Sequence, residues 1–199
     1  MTPEIEAKWL DIDHDEIRAK LIKLGAKQTR PKTDMTRATF EDVTGEMNRK
    51  RQWVRVRNEG DQTTMSLKRT LDDSICGTHE VCLNVDNFDM AVDFLKQIGL
   101  VQKAFQETRR ESWVLDGAEI DLDEWPWIPP FIEIEAASEE KVQNVVEKLG
   151  LKMADGHPGA VDVIYPIYYD VTPADVDKWP EARFTENVPE WLEKKRRAK

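Results

Sequence analysis

No stretch of this 199-residue sequence approaches the roughly 18 consecutive apolar residues that a bilayer-spanning helix needs. Cysteine is nearly absent. Cys76 and Cys82 form no CxxC pair, and the few histidines do not complete a zinc-ligand spacing with them. That inventory points to reduced, structural thiols, with Cys82, in an apolar-leaning segment, expected to be buried. Positive charge is in short supply: 29 Lys and Arg stand against 39 Asp and Glu, a net charge of −10. A chain this acidic is repelled by duplex nucleic acid and by anionic membranes, so neither is an expected partner. A local basic patch could still hold a small polyanion. The start, Met1-Thr2-Pro3-Glu4, has neither the basic region nor the apolar core of a signal peptide, so the expected location is the cytoplasm.

Hydrophobic residues make up 40% of the chain and charged residues 34%, the balance of a soluble globular protein. The length suits one domain with an appendage. In Glu4-Ile5-Glu6-Ala7-Lys8 the charges fall at every second position. On a strand they share one face, with Ile5, Ala7 and Trp9 on the other. The design recurs in Trp53-Val54-Arg55-Val56-Arg57 and, after the turn residues Asn58-Glu59-Gly60-Asp61, in a return strand with Thr64, Ser66 and Lys68 on one face. A further strand, His79 to Val85, places Glu80 and Cys82 together. Phe105 to Leu115 carries Arg109 and Arg110; Glu119 to Asp123 pairs back after Asp116-Gly117, and Phe131-Ile132-Glu133-Ile134-Glu135 nearly mirrors the opening strand. Helices are expected from Asp13 to Gly25, Asp86 to Gly99 and Ser138 to Gly150, each with a helical apolar stripe and a terminal glycine. Residues 28–50 are polar and give no clear signal beyond a candidate strand at 36–41, and 45–50 reads as a loop. Val161 to Tyr169 is a candidate last helix. From Val171 the prolines break the pattern and a basic tail follows, expected to be an appendage docked through Trp179 and Trp191 with a frayed end.

Collected by face, the strands carry the acids Glu4, Glu6, Asp121, Asp123, Glu133 and Glu135 and the bases Lys8, Arg55, Arg57, Lys68 and one of Arg109 and Arg110. An antiparallel sheet closed into a barrel would bury the apolar positions under helices and turn the charges inward. Such an interior is costly unless a ligand or metal occupies it. Carboxylates in E-x-E pairs supply hard oxygens for Mg²⁺ or Mn²⁺, and rows of Arg and Lys grip phosphoryl oxygens. Together they describe a metal-bridged polyphosphate site, where catalysis is positioning and charge neutralisation.

At these residues the sequence resembles the CYTH family, the triphosphate tunnel metalloenzymes, over about residues 2 to 170. The family's E-x-E-x-K stands as Glu4 to Lys8, its R-x-R strand as Arg55-Val56-Arg57, its lysine strand as Ser66-Leu67-Lys68, and its most recognisable segment as Asp121 to Glu135. The resemblance implies an α+β fold, a closed eight-stranded antiparallel β-barrel flanked by helices, with residues 1–170 as the tunnel domain and 171–199 as the C-terminal appendage. It implies one or two divalent ions, Mg²⁺ or Mn²⁺, on Glu4, Glu6, Glu133 and Glu135 with Asp123. It implies a triphosphate on Lys8, Arg55, Arg57, Lys68 and Arg110. Lys8, Glu6 and Arg57 stand closest to the chemistry, Lys8 as a candidate base by analogy, and Glu80 matches an acid often found on its strand. The sequence departs from the cyclase-like pattern at Thr108-Arg109-Arg110, where a lysine is missing, and at Gly159-Ala160-Val161-Asp162, where no basic residue precedes an aromatic, although Lys152 or His157 lies near.

Three functions are open at this stage: a metal-dependent triphosphatase acting on inorganic or organic triphosphate, a class IV adenylyl cyclase, and a non-catalytic polyphosphate or nucleotide sensor. The first is preferred. The expected partner is a small-molecule triphosphate, and the protein is expected to be a monomer or homodimer.

Overall fold

The computed structural model describes residues 1–198. The strands are β1 (Thr2–Trp9), β2 (Lys27–Asp42), β3 (Gln52–Asn58), β4 (Thr63–Thr70), β5 (Thr78–Val85), β6 (Leu100–Leu115), β7 (Ala118–Glu124), β8 (Phe131–Ala136) and the short β9 (Glu181–Ala182). The helices are α1 (His14–Lys23), α2 (Glu46–Arg49), α3 (Phe88–Gln97), α4 (Glu139–Leu149), α5 (Tyr165–Tyr168), α6 (Pro173–Val176) and α7 (Glu190–Glu193).

The sheet runs β2-β3-β4-β5-β1-β8-β7-β6, and β2 pairs back onto β6 to close it. All eight pairings in that ring are antiparallel. β9 lies outside the ring, parallel to β6. The fold is thus α+β, a closed eight-stranded antiparallel barrel with helices around it.

Register decides which side chains face the lumen. Glu6 stands opposite Glu135 and Lys8 opposite Glu133, while Ala7 stands opposite Ile134 and Trp9 opposite Ile132. The first pairs face in. The second pairs face out, where α1 and α4 cover them with Ile17, Leu21, Val142, Val145, Val146 and Leu149. Both helices have the capping that their sequences predict: the Asp13 side chain accepts from Asp15 N and Glu16 N, and Ser138 accepts from Lys141 N. α3 covers a second outer patch, with Ala91 and Leu95 against Ala38, Phe40 and Val56. A third core caps one end of the barrel. It joins Trp125, Ile128 and Phe131 to Tyr165, Tyr169, Val176 and Leu192.

The structure departs from the sequence reading in five places. The candidate strand at 36–41 is the second half of a longer, 16-residue strand, β2, that begins at Lys27. Its first half bonds only to β6, so it needs no apolar face, and the register shifts between Gln28 and Arg30 and between Arg30 and Thr33 break its alternation. The loop expected at 45–50 contains the one-turn helix α2, whose start is organised by Asp42 accepting from Glu46 N and Met47 N. The expected last helix is split into a 3₁₀ turn at Val161–Val163 and α5. Cys82 is exposed rather than buried. It faces the lumen opposite Ser66, and there the lumen opens to solvent. The basic segment, expected to be frayed, is tied down as far as Arg197: Tyr169 and Arg196 form a bridge, and Arg197 N donates to Tyr168 O. No described helix is long and apolar enough to cross a membrane.

Candidate active site

Glu4 and Glu6 come from β1 and Glu135 from β8, the strand paired with it. Their oxygens lie within 4.8 Å of one another. Burial first, then the neighbouring Glu6 carboxylate, pushes Glu4 up to about 8, against the pull of Lys68. Burial, Glu6 and Glu133 push Glu135 up to about 7. Crowded carboxylates, of which Glu4 and Glu135 resist ionising, are what a hard divalent cation relieves. An all-oxygen donor set of this kind fits Mg²⁺ or Mn²⁺ rather than a soft metal.

The other three acids predicted from sequence lie in a second group. Arg110 of β6 pairs with Asp121, with Asp123 at 2.6 Å and with Glu133 at 3.0 Å. Burial alone would lower the Arg110 pKa, but these acids hold it well above the ordinary value. Burial and the neighbouring acids push Asp121 up to about 8 even so. Lys8 bridges the two groups, 2.7 Å from Glu133 and 3.3 Å from Glu6. Burial would favour a neutral amine there, yet Glu133 and Glu6 outweigh it and raise the pKa. Lys8 also donates to Gly159 O at 2.7 Å. Burial likewise opposes the charge on Glu133, and Lys8 and Arg110 overcome it, holding the carboxyl well below its usual range.

The remaining cations line the opposite walls. Lys68 of β4 contacts both oxygens of Glu4 at 2.8 Å, and Arg55 of β3 reaches Glu80 of β5 at 3.2 Å. Burial and the adjacent Arg57 lower Arg55 to about 10. Arg57 pairs with Glu59 at 2.7 Å, and Glu59 also takes Arg30 at 3.0 Å. A cavity of about 440 Å³ opens at this end, lined in part by Arg57, Glu59, Arg110, Ser112 and Cys82. Glu80 is thus a partner of Arg55 and a more distant one of Lys68.

Arg109 points away from the lumen, as the alternation requires. It pairs with Asp34 and Glu124 and covers the Phe184 ring. Lys152 and His157 contribute backbone: Lys152 O accepts from the Trp9 indole, and His157 forms a bridge with Lys8. Sequence reading passed over Arg37, Arg30 and Glu59. Arg37 lies on β2 directly opposite Arg57 and so faces inward. Its signal was present, since Ala38 and Phe40 alternate with Arg37 and Thr39 as Val54 and Val56 do with Arg55 and Arg57.

The family profile of the CYTH domain matches residues 2–160. No curated protein sequence matches the chain significantly. Among solved structures, the PH1012 protein of Pyrococcus horikoshii OT3 is 23% identical with a TM-score of 0.65, covering 79% of this chain and 96% of its own. A Vibrio parahaemolyticus protein put forward as an adenylate cyclase is 13% identical with a TM-score of 0.72, covering 83% of this chain and 98% of its own. A Hippeastrum protein put forward as an adenylyl cyclase, and described as having a dominant triphosphatase activity, is 13% identical with a TM-score of 0.55, covering 80% of this chain and 91% of its own.

Proposed function

Because the chain belongs to the CYTH domain family, we propose that it is a divalent-metal-dependent phosphohydrolase acting on inorganic or organic triphosphates. One observation carries the reading: a carboxylate cluster of Glu4, Glu6 and Glu135 shares the lumen of one closed barrel with Lys8, Arg55, Arg57, Lys68 and Arg110. When bound on that cluster, Mg²⁺ or Mn²⁺ would supply neutralisation of phosphoryl charge and an activated water.

The protein's own residues do the rest. Lys8, Arg55, Arg57, Lys68 and Arg110 are held in place by acids before substrate arrives. A triphosphate therefore exchanges one set of anionic oxygens for another instead of ordering free side chains, which lowers the entropic cost of binding. Lys8 is kept charged by Glu133 and Glu6, so in this arrangement it donates to a phosphoryl oxygen. Asp121 and Asp123 orient Arg110, and Glu59 orients Arg57. Fixed donors aimed at oxygens that gain charge in the transition state are the main source of rate in phosphoryl transfer. We place this reaction in the cytoplasm.

Phosphorus NMR of products, with inorganic triphosphate and ATP offered in parallel and Mg²⁺ or Mn²⁺ added, tests the proposal. Orthophosphate release is the expected result. Pyrophosphate together with 3′,5′-cyclic AMP from ATP would replace it with a cyclase. Tight binding without turnover would leave a sensor.

A further inference from the structure

Arg37 differs from every other lumen cation described above. Lys8, Arg55, Arg57, Lys68 and Arg110 each have a carboxylate within ion-pair distance, whereas Arg37 has none among the described residues. It is buried, at 8% exposure. Its guanidinium makes one side-chain hydrogen bond, Nη2 to Thr108 Oγ1 at 3.3 Å, and its Nε has no partner. One face of the group lies 4.5 Å from the centre of the Trp125 ring. The charged groups that act on it most strongly are largely of its own sign: Arg55, Arg57 and Arg110, with Asp123 opposing them. Burial and these arginines hold its pKa well below the ordinary value. A buried guanidinium so placed is costly unless an anion completes it.

The wall it stands on matters. β2 is four strands from β1 in either direction around the ring, so Arg37 is across the lumen from Glu4 and Glu6. The aromatic face nearest to it, that of Trp125, is already covered by the guanidinium and is not open for a nucleobase to stack on.

We propose that Arg37 receives a charged phosphoryl group at the end of the substrate away from the carboxylate cluster, and so selects inorganic triphosphate over nucleoside triphosphates. The inference rests on the triphosphate reading of the tunnel and deepens it. Arg37 is a binding and specificity residue, and no proton transfer is assigned to it.

Calorimetric binding to the full chain, with divalent ions chelated so that turnover does not interfere, separates the possibilities. Arg37→Gln is expected to weaken inorganic triphosphate by about tenfold or more and ATP by less than about threefold, with Arg37→Lys between parent and Gln, as loss of a charged hydrogen bond predicts. The ligand-free Tm of Arg37→Gln should equal or exceed that of the parent, since a repelled charge is removed. Equal weakening of both ligands, or unchanged affinity for inorganic triphosphate, would overturn the inference alone. A parent chain that binds no triphosphate would overturn the tunnel reading and this inference with it. A lowered ligand-free Tm with affinity intact would make Arg37 structural.

Discussion

Glu4 and Glu135 tie the chemistry of the lumen to a measurable pH dependence. Burial and neighbouring carboxylates raise them from 4.5 to about 8 and about 7. Across that window the folded chain keeps protons that the unfolded chain has released. The contribution of these two groups to stability is therefore complete below 4.5 and is lost as pH rises to about 8. In chelator, Tm should fall over this range, and Mg²⁺ or Mn²⁺ should restore it most at the upper end. A melt series that is flat with pH and indifferent to cation would remove the ion from this cluster. Glu6→Gln and Glu135→Gln should stay folded, weaken cation binding by at least about tenfold and abolish metal-dependent turnover; unchanged activity in both would sink the assignment. Arg57→Ala is a clean probe for a different reason. Glu59 would still be held by Arg30, Gln62 and Thr64, so the loss should register as a KM about tenfold higher or more and not as unfolding. Unchanged kinetics would detach that strand face from the substrate.

At the scale of elements, the β3–β4 hairpin positions Arg57 and Glu59, and Gly60 makes its turn. Gly60 has φ of +89°, and a Cβ there would lie 2.8 Å from Thr33 Cγ2 on β2. Gly60→Val combines a disfavoured backbone with a clash, so it should cost about 1–3 kcal/mol in a denaturant melt. It should also loosen the Arg57–Glu59 pair that lines the cavity mouth. This hairpin was legible in the sequence because period-two alternation ran right up to Asn58-Glu59-Gly60-Asp61. The same signal marked β1, β7 and β8 and identified which of their side chains share the lumen. It could not show pairing, so nothing in the sequence separated Glu4, Glu6 and Glu135 from the acids that Arg110 gathers. It failed over β2, where Lys27 to Asp34 has polar residues on both faces and Pro31 among them. A strand segment bonded on one side only, with bulges, has no apolar face to reveal it. Arg37 lies beyond that stretch, in the candidate strand at 36–41, where the alternation of Ala38 and Phe40 with Arg37 and Thr39 did carry its inward direction.

For the whole molecule, the open matter is how the last residues relate to the barrel. We propose that 171–199 is an appendage to a tunnel unit of residues 1–170 and that its role is structural. Trp179 meets Trp127 and Tyr165 edge-on, with centroids 5.8 and 4.9 Å apart, and Trp191 meets Trp127 and Trp179. Val176 and Leu192 are buried in the same cluster, and β9 adds its edge to β6. Among the described residues, none of the lumen carboxylates or cations comes from this segment. Burying side chains such as Val176 and Leu192 contributes about 1.5–3 kcal/mol each. Losing two of them is a sizeable part of the roughly 5–15 kcal/mol that holds a domain together. A chain ending at Thr172 should therefore melt on the order of 10 °C lower or more. At temperatures where circular dichroism shows it still folded, it should bind inorganic triphosphate as the full chain does. The Arg37–Trp125 contact makes this a demanding test, since Trp125 sits in the core that the appendage completes. If affinity fell while the barrel stayed folded, the appendage would belong to the binding site, holding Trp125 against Arg37 and closing that end of the tunnel.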